Sequence, residues 1–527
     1  MLKLTIDGRA VEVAPGTNLI EAARAAGVEV PYFCYHPHLS VVGQCRICMV
    51  EIEGQPRLAI ACATPVAEGM VVKSETSERV KEARAAVMEF LLANHPLDCP
   101  VCDQAGECLL QDHSVSDGTD LTNMVETRRT FPGYERRLIG PHIIQNQNRC
   151  IHCSRCIRFT QEISETAALT YKSRGNRAFI DTFNGRPFDD EFSGCTADVC
   201  PVGALTVREF RFRKRAWRLR STPSVCPGCS IGCNLFIDHH ERVVYRFSPR
   251  ENPEVNATWL CDYGRFLAES LNEHAVLHPQ RRAAGASERI GWGEAITDLS
   301  ARFTAAKRVG VVGSANLSNE ELYLARELFA GAELVVPVWP GRERCMKNAR
   351  REWLRSADAH PNAAGAHRLG LAAVDAAGLA AFLARAFDLT IVLDPLAHPA
   401  LGEETALTAL ARPGLVVLGR TKHAVLERAE LILPAASLAC DAGSFTSSTG
   451  AVQRFDAAFA PPGEARPLWR TLLGLARERS VTALAELDGP AAVFALMTAR
   501  VQGFAGLEWD RLGGLREESY REHQHVG

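Results

Sequence analysis

The sequence predicts two kinds of structure in one chain: small cysteine-rich α+β modules first, then an open α/β domain with a largely parallel sheet. Three observations carry this expectation. Fifteen of the eighteen cysteines, together with one histidine, fall into four groups of four in the N-terminal half. Only Cys345 and Cys440 follow Cys261. From about residue 290 onward, short Val- and Leu-rich runs alternate with helical patterns, as strands feeding crossover helices do.

Composition sets the bounds. A chain of 527 residues is long enough for three or four domains of about 100–200 residues each. A hydrophobic content of 46% with 23% charged residues fits a globular protein with several cores. The net charge of −3 gives no general attraction to nucleic acid or anionic lipid. The opening MLKLTIDGRAVEV has no basic segment followed by an apolar run, so no secretory signal is expected and a cytoplasmic setting follows. Arg128-Arg129 lies too deep to act as an export signal. No run is long and apolar enough to span a bilayer. The nearest, Leu369 to Phe387, is interrupted by Asp375 and Arg385 and reads as a buried amphipathic helix. In a reducing compartment, paired Cys-x-x-Cys motifs point to metal and not to disulfides.

Elements follow in order. Leu2 to Ile6 and Ala10 to Val13 form a hairpin around Asp7-Gly8. Asn18 and Glu21 make a capping box for a helix running to Gly27. Met49 to Glu53 and Arg57 to Ala61 pair around Gly54. Strand, strand, helix, strands, with cysteines after the helix, suggest a β-grasp ferredoxin. Ala83 to Leu92 has helical spacing and stops before His95-Pro96. The basic stretch RFRKRAWRLR at 211–220 is read as a solvated linker or helix, with docking to an acidic neighbour as the functional alternative. Strands are expected at Val309 to Val312, Leu334 to Val338, Leu389 to Leu393, Leu415 to Leu418 and Leu431 to Leu433. The tail from Arg516 is a loose polar end.

Each cysteine group has its own chemistry. Cys34, Cys45, Cys48 and Cys62 place two thiolates on a tight loop, Gly43-Gln-Cys45-Arg-Ile-Cys48, whose N–H groups can face cluster sulfides. A [2Fe–2S] centre is expected, with zinc as the alternative. His95, Cys99, Cys102 and Cys108 replace one thiolate by a neutral imidazole, which makes a cluster less negative by one charge. On spacing alone, His95 is either an iron ligand or a cap on the preceding helix. Cys150, Cys153 and Cys156, closed by Cys200 before Pro201, form a [4Fe–4S] pattern, with Cys195 as a spectator. Cys226, Cys229, Cys233 and Cys261 put three thiols on one loop, which favours a cubane over a zinc ribbon of two knuckles.

Several strings together resemble one family, the large iron–sulfur G subunits of bacterial NADH:quinone oxidoreductase, respiratory complex I. They are GQCRICMVEIEG at 43–54, NHPLDCPVCDQAGECLLQD at 94–112, RCIHCSRCIRF at 149–159, DVCPVGAL at 198–205 and CPGCSIGCN at 226–234. The second string is similar to the family's histidine-plus-three-cysteine motif, which implies that His95 ligates iron. AELILPAASLACDAGSFTSSTGAVQRF at 429–455 resembles the pterin-nucleotide region of molybdoenzymes. The resemblance implies five domains: 1–78, a β-grasp [2Fe–2S] domain; 79–120, a [4Fe–4S] domain with one histidine and three cysteines; 121–220, a four-cysteine [4Fe–4S] ferredoxin-like domain; 221–277, a molybdopterin-oxidoreductase-type [4Fe–4S] domain; and 278–527, a truncated, degenerate molybdopterin-oxidoreductase α/β domain. No molybdenum is expected, and Cys345 is read as a plain helix thiol. Val309 to Ala315 lacks the glycine fingerprint of a dinucleotide site.

What the resemblance implies is an electron-transfer subunit of the peripheral arm, on the cytoplasmic side of the membrane. Its partners would be a flavin-bearing NADH-oxidising subunit, a two-cluster ferredoxin-like subunit and quinone-module subunits. Electrons would pass through the [2Fe–2S] centre, the four-cysteine cubane and the histidine-ligated cubane, with the fourth cluster off this path and no residue breaking substrate bonds. The competing classes are a formate-dehydrogenase-like molybdoenzyme, an iron-only hydrogenase and a redox-inert zinc scaffold. A hydrogenase needs four cysteines for its catalytic cluster in the C-terminal half, where this chain has two.

Overall fold

A computed structural model describes residues 1–513 apart from 274–275, 284–285, 341–343, 349–350, 357, 395–402 and 421–422. The chain divides into two compact units, one built chiefly from Met1–Arg218 and the other beginning at Leu219.

The first unit opens on a five-stranded mixed sheet. Its order is Arg9–Val13, Leu2–Ile6, Val71–Lys73, Met49–Ile52, Ala59–Ile60. Leu2–Ile6 runs antiparallel to Arg9–Val13 and parallel to Val71–Lys73, which is the β-grasp arrangement. The hairpin turns at Asp7 (φ 46°) and Gly8 (φ 80°), a pair suited to tight two-residue turns. The Asp7 carboxylate accepts from the N–H groups of Ser74 (2.8 Å) and Glu75 (3.0 Å), tying the turn to the end of the module. Asn18 caps the helix Leu19–Ala25 by accepting from Glu21 N–H at 3.0 Å. That helix buries Leu19, Ile20, Ala22 and Ala23 against the sheet.

Helix Glu78–Leu92 starts five residues earlier than its apolar spacing suggests, because Ser77 caps it by accepting from Val80 N–H. It carries buried Arg84, which donates to Met49 O (3.1 Å) and Ser74 Oγ (2.7 Å) and so anchors the helix to the β-grasp module. Beyond it lie a three-stranded sheet, Leu205–Val207, Ile143–Gln145, Arg137–Leu138, and a hairpin of Leu169–Lys172 with Phe179–Thr182. The basic stretch is more engaged than a solvated linker: Arg215 donates to Cys102 O at 2.6 Å and Phe212 N–H donates to the Asp103 carboxylate at 2.7 Å.

The second unit begins with an antiparallel meander, Arg220–Val225, Asn234–His240, Val243–Pro249. Its main sheet has eight strands among the described residues. Six are parallel: Val309–Val312, Glu333–Pro337, Ala372–Val374, Leu389–Leu393, Leu415–Gly419 and Leu431–Pro434. Numbered along the chain, they lie side by side in the order 3-2-1-4-5-6, the doubly wound order. Both faces are covered. Val311, Ile391, Val416 and Leu418 face one core with helices Trp292–Ala305, Asn319–Leu328 and Leu468–Glu478. Val312, Val392, Leu415 and Val417 face another with Leu379, Phe382, Leu407 and Leu410. Burial on both faces is why these strands read as continuous apolar runs.

One expectation fails here. The run Leu369 to Phe387 is not one helix. Gly370, at φ 71°, ends a short helix, Ala363–Arg368, with Leu371 N–H donating to Ala366 O at 3.0 Å. Ala372–Val374 then joins the sheet edge, and Asp375 caps a new helix, Ala376–Leu383. Pairing with an open sheet edge outweighs the helical preference of Ala372 and Ala373, and Val374 alone of the three favours a strand by itself. The backbone of Cys345 lies in strand Arg344–Asn348, not in the helix expected; its side chain and the tail from Arg516 lie outside the described residues.

Candidate metal centres

The structure gathers most of the predicted ligands into their groups. Cys34, on the loop after the first helix, contacts the thiols of Cys45 and Cys62, and Cys48 contacts Cys62. Cys34 N–H donates to Cys45 Sγ at 3.5 Å. Cys62 sits on a 3-10 turn, Ala61–Ala63, fixed by Ala61 N–H donating to Cys48 O at 2.9 Å. Gly43 (φ 60°) and Arg46 (φ 66°) fold the loop between them into the left-handed region. A non-glycine residue held there costs about 1–3 kcal/mol, a cost found at binding loops whose N–H groups must turn inward.

The third group shows the same device. His152 (φ 55°) and Ser154 (φ 62°) are left-handed on the loop carrying Cys150, Cys153 and Cys156. These three thiols and Cys200 line one small cavity, walled by Ile151, Ile180, Val202 and Leu205. Cys195 is buried in helix Ser193–Asp198 and does not line it. His152 makes contacts of its own, with Ala178 O at 3.1 Å. Burial and the neighbouring thiols raise the Cys150 and Cys156 thiols above the ordinary range, and burial takes Cys153 up to about 11.

In the second group, Cys99 is exposed while Cys102 and Cys108 are buried. Cys102 feels the charges of Arg149, Asp98 and Cys99, and Cys108 that of Cys102. His95 is held beside Asp98 and Arg149, which pair at 2.7 Å. Burial pushes its imidazole down to about 4, so it is neutral at pH 7, the form that ligates metal. Its Nδ1 is enclosed without a hydrogen-bond partner. The ring's backbone bond goes to Arg149, outside helix Glu78–Leu92, so it does not cap that helix, and the enclosed Nδ1 suits a metal-ligand role better.

The fourth group lies in the second unit. Cys226 ends the strand Arg220–Val225, Cys233 precedes the strand Asn234–His240, and Cys226 N–H donates to Cys233 O at 2.8 Å. Cys261 caps the short helix Asp262–Phe266, accepting from Gly264 N–H at 3.4 Å, while Gly228 N–H donates to Cys226 Sγ at 3.4 Å. A side chain at Gly264 would put its Cβ 2.7 Å from Cys226 Sγ.

Among the described residues, no set of three or more His, Cys, Asp or Glu side chains is arranged to hold a single metal ion. Four cysteines around a walled cavity, N–H groups aimed at sulfur and left-handed ligand loops suit a polynuclear cluster, which spreads its ligands over several irons.

The doubly wound sheet raises the question of a nucleotide cofactor, because such sheets take phosphates at the helix following the first strand. Here that helix, Asn319–Leu328, is closed by its own acids. Ser318 and Glu321 form a capping box, and fully buried Glu320 accepts from Ser444 N–H at 2.8 Å and Ser444 Oγ at 2.6 Å. Asp394 pairs with Arg420 at 3.1 Å nearby, and burial with the charge of Glu321 raises Asp441. Ser318 already accepts from an N–H that a phosphate would take, so among the described residues this helix end offers no phosphate cradle for a pterin nucleotide.

Sequence spacing did not single out Arg155 and Arg158, which flank Cys156, or Gly203. Arg155 is fully buried and Arg158 is 5% exposed. A Cβ on Gly203 would lie 2.3 Å from Cys102 Sγ. The available signal was arginine beside ligand cysteines in Cys153-Ser-Arg-Cys156-Ile-Arg, where a solvated charge would be out of place.

Comparison with known proteins agrees with this order of modules. Residues 1–77 match the 2Fe-2S iron-sulfur cluster binding domain, and 84–118 the NADH-ubiquinone oxidoreductase-G iron-sulfur binding region. Residues 140–206 match the ferredoxin-like domain of NADH-quinone oxidoreductase subunit 3. Residues 219–273 match the molybdopterin oxidoreductase Fe4S4 domain, and 392–478 the molybdopterin oxidoreductase family. Fold and motifs thus define a protein of 2Fe-2S and 4Fe-4S binding domains followed by a molybdopterin-oxidoreductase-type α/β domain.

Curated relatives that it matches include NADH-quinone oxidoreductase G subunits and the 75 and 78 kDa subunits of NADH-ubiquinone oxidoreductase. The 78 kDa mitochondrial subunit of Candida albicans is 40% identical over 305 residues, 58% of this chain and 42% of the relative. The 75 kDa subunit of Reclinomonas americana is 39% identical over 332 residues, 62% of this chain and 47% of the relative. The G subunit from Rickettsia bellii is 40% identical over 307 residues, 58% of this chain and 44% of the relative. The chain therefore spans less than half the length of these relatives. No helix among the described residues is long and apolar enough to cross a membrane.

Proposed function

We propose that the chain is the electron-relay subunit of the peripheral arm of an NADH:quinone oxidoreductase. In this reading Cys34, Cys45, Cys48 and Cys62 hold one [2Fe–2S] cluster. Three [4Fe–4S] clusters are held by His95, Cys99, Cys102 and Cys108; by Cys150, Cys153, Cys156 and Cys200; and by Cys226, Cys229, Cys233 and Cys261. The five domains run 1–78, 79–120, 121–220, 221–277 and 278–527, the last without molybdenum. The partners are a flavin-bearing NADH-oxidising subunit, a two-cluster ferredoxin-like subunit and the quinone module, on the cytoplasmic face of the membrane.

The observation that carries the reading is the convergence of one four-cysteine set, Cys150 with Cys153, Cys156 and Cys200, around a single walled cavity. When bound, each cluster supplies a one-electron couple. The chain does the rest. Apolar walls exclude water, Gly228 and Gly264 aim N–H groups at sulfur, and the neutral His95 lowers the negative charge at one centre. Iron, acid-labile sulfide, zinc and molybdenum analysis of anaerobically purified chain tests the proposal. About fourteen irons per chain, two for a binuclear centre and four for each of three cubanes, are expected. Stoichiometric zinc with little iron overturns it.

A further inference from the structure

Two buried arginines join the first cysteine set to the third. Arg158 donates through Nη2 to Cys34 O at 2.5 Å and to Cys153 O at 3.5 Å, through Nε to Ser154 Oγ at 3.3 Å, and through Nη1 to Ser40 O. One guanidinium thus bonds the main chains of two predicted ligands from different sets. Arg155 repeats the pattern one step out: it donates to Tyr35 O at 2.5 Å and to Val199 O at 3.2 Å, the neighbours of Cys34 and Cys200. Gln44 also donates to His152 O, and Ser40 N–H donates to Glu162 at 2.8 Å across the same seam.

The placement needs a reason. Removing a guanidinium from water costs several kcal/mol unless anions or a full set of acceptors repay it, and the group does not deprotonate in proteins. The charges facing Arg158 are Cys153, Glu162, Cys34 and, of like sign, Arg155. Thiolate-ligated centres on both sides of the seam would place negative charge beside the buried Arg158.

We propose that Arg158 is a positioning residue that couples the binuclear centre on Cys34 to the cubane on Cys153. It fixes the approach of the two ligand loops, provides a hydrogen-bonded link between their main chains, and places one positive charge beside both centres. The Cys34 and Cys153 carbonyls both accept from Nη2 while the other arm of the planar fork reaches Ser40 O, a spread that the single point charge of lysine does not cover. The inference rests on the cluster assignment proposed above.

The test is a potentiometric titration, followed by low-temperature EPR, of the full iron-loaded chain and its variants. Arg158→Gln is expected to lower the potentials of both the Cys34 and the Cys153 centres, each by about tenfold in the reduction equilibrium, ~59 mV for one electron. Arg158→Lys keeps the charge and restores both potentials most of the way. Glu162→Gln, which leaves Arg158 in place, moves both potentials upward and decides the matter if Arg158→Gln does not retain iron. Unmoved potentials in an iron-replete Arg158→Gln chain, or Arg158→Lys behaving like Arg158→Gln, would overturn the inference. Absence of cluster signals in the unmodified chain would instead remove the cluster assignment itself.

Discussion

Gly203→Ala is the smallest change that should damage one centre and spare others. Gly203 is not in the left-handed region, so alanine meets no backbone penalty there. The obstacle is contact. Its Cβ would stand 2.3 Å from Cys102 Sγ and 3.2 Å from Gln104 Cβ. Non-bonded heavy atoms settle at about 3.5–4.0 Å, so Cys102 Sγ must retreat by more than ~1 Å or the segment after Cys200 must give way. That segment is held by Asn146 N–H, which donates to Ala204 O at 2.8 Å. Overpacking of this kind costs about 1–3 kcal/mol. The main consequence is a misplaced ligand. Iron per chain and the reduced EPR spectrum are the assay, with thermal unfolding alongside. The signal of the His95-Cys99-Cys102-Cys108 centre should broaden or disappear, and those of the Cys34 and Cys226 centres should persist. Gly293→Ala, a helix position with nothing within 4 Å of the added carbon, is the matched control. A Gly203→Ala chain with full iron, an unaltered spectrum and an unchanged melting temperature would refute the reasoning.

Three further outcomes follow from the same geometry. His95→Cys should keep a cluster but lower its potential, since a thiolate adds a negative charge, whereas an unchanged spectrum after His95→Ala would show that His95 is no ligand. Gly264→Ala should selectively disturb the Cys226 centre, because the added carbon would sit 2.7 Å from Cys226 Sγ; iron content and that centre's EPR line check it. Glu320 is fully enclosed, and burial raises its carboxyl from 4.5 to about 7. Burial disfavours its charged form, so its contribution to stability is present below pH 4.5 and lost as pH rises to about 7. The loss is on the order of 3 kcal/mol. Urea unfolding at pH 5 and pH 8 should show Glu320→Gln relieving part of that pH dependence, and an identical dependence in the two proteins would contradict it.

Much of this was legible in the sequence because its signals are local. Turn residues Asp7-Gly8 and the Asn18–Glu21 cap each act within a few positions, and the apolar runs of the parallel strands reflect burial on both faces. Cys-x-x-Cys spacing identifies the ligand loops for the same reason. What escaped depends on distant partners. Arg158 matters because Cys34, more than a hundred residues away, offers its carbonyl, and Gly203 because Cys102 passes close by. Ala372–Val374 became a strand because a sheet edge was open beside it. The acids that close the helix at Asn319 appear in sequence as an ordinary capping box. What the sequence does not show is that Glu320, beside that box, is buried against Ser444 from more than a hundred residues away.

The most direct test of the central claim is low-temperature EPR of the whole chain during stepwise anaerobic reduction. The account predicts one binuclear signal and three cubane signals that appear at separate potentials. A colourless chain that stays silent throughout the titration would contradict it.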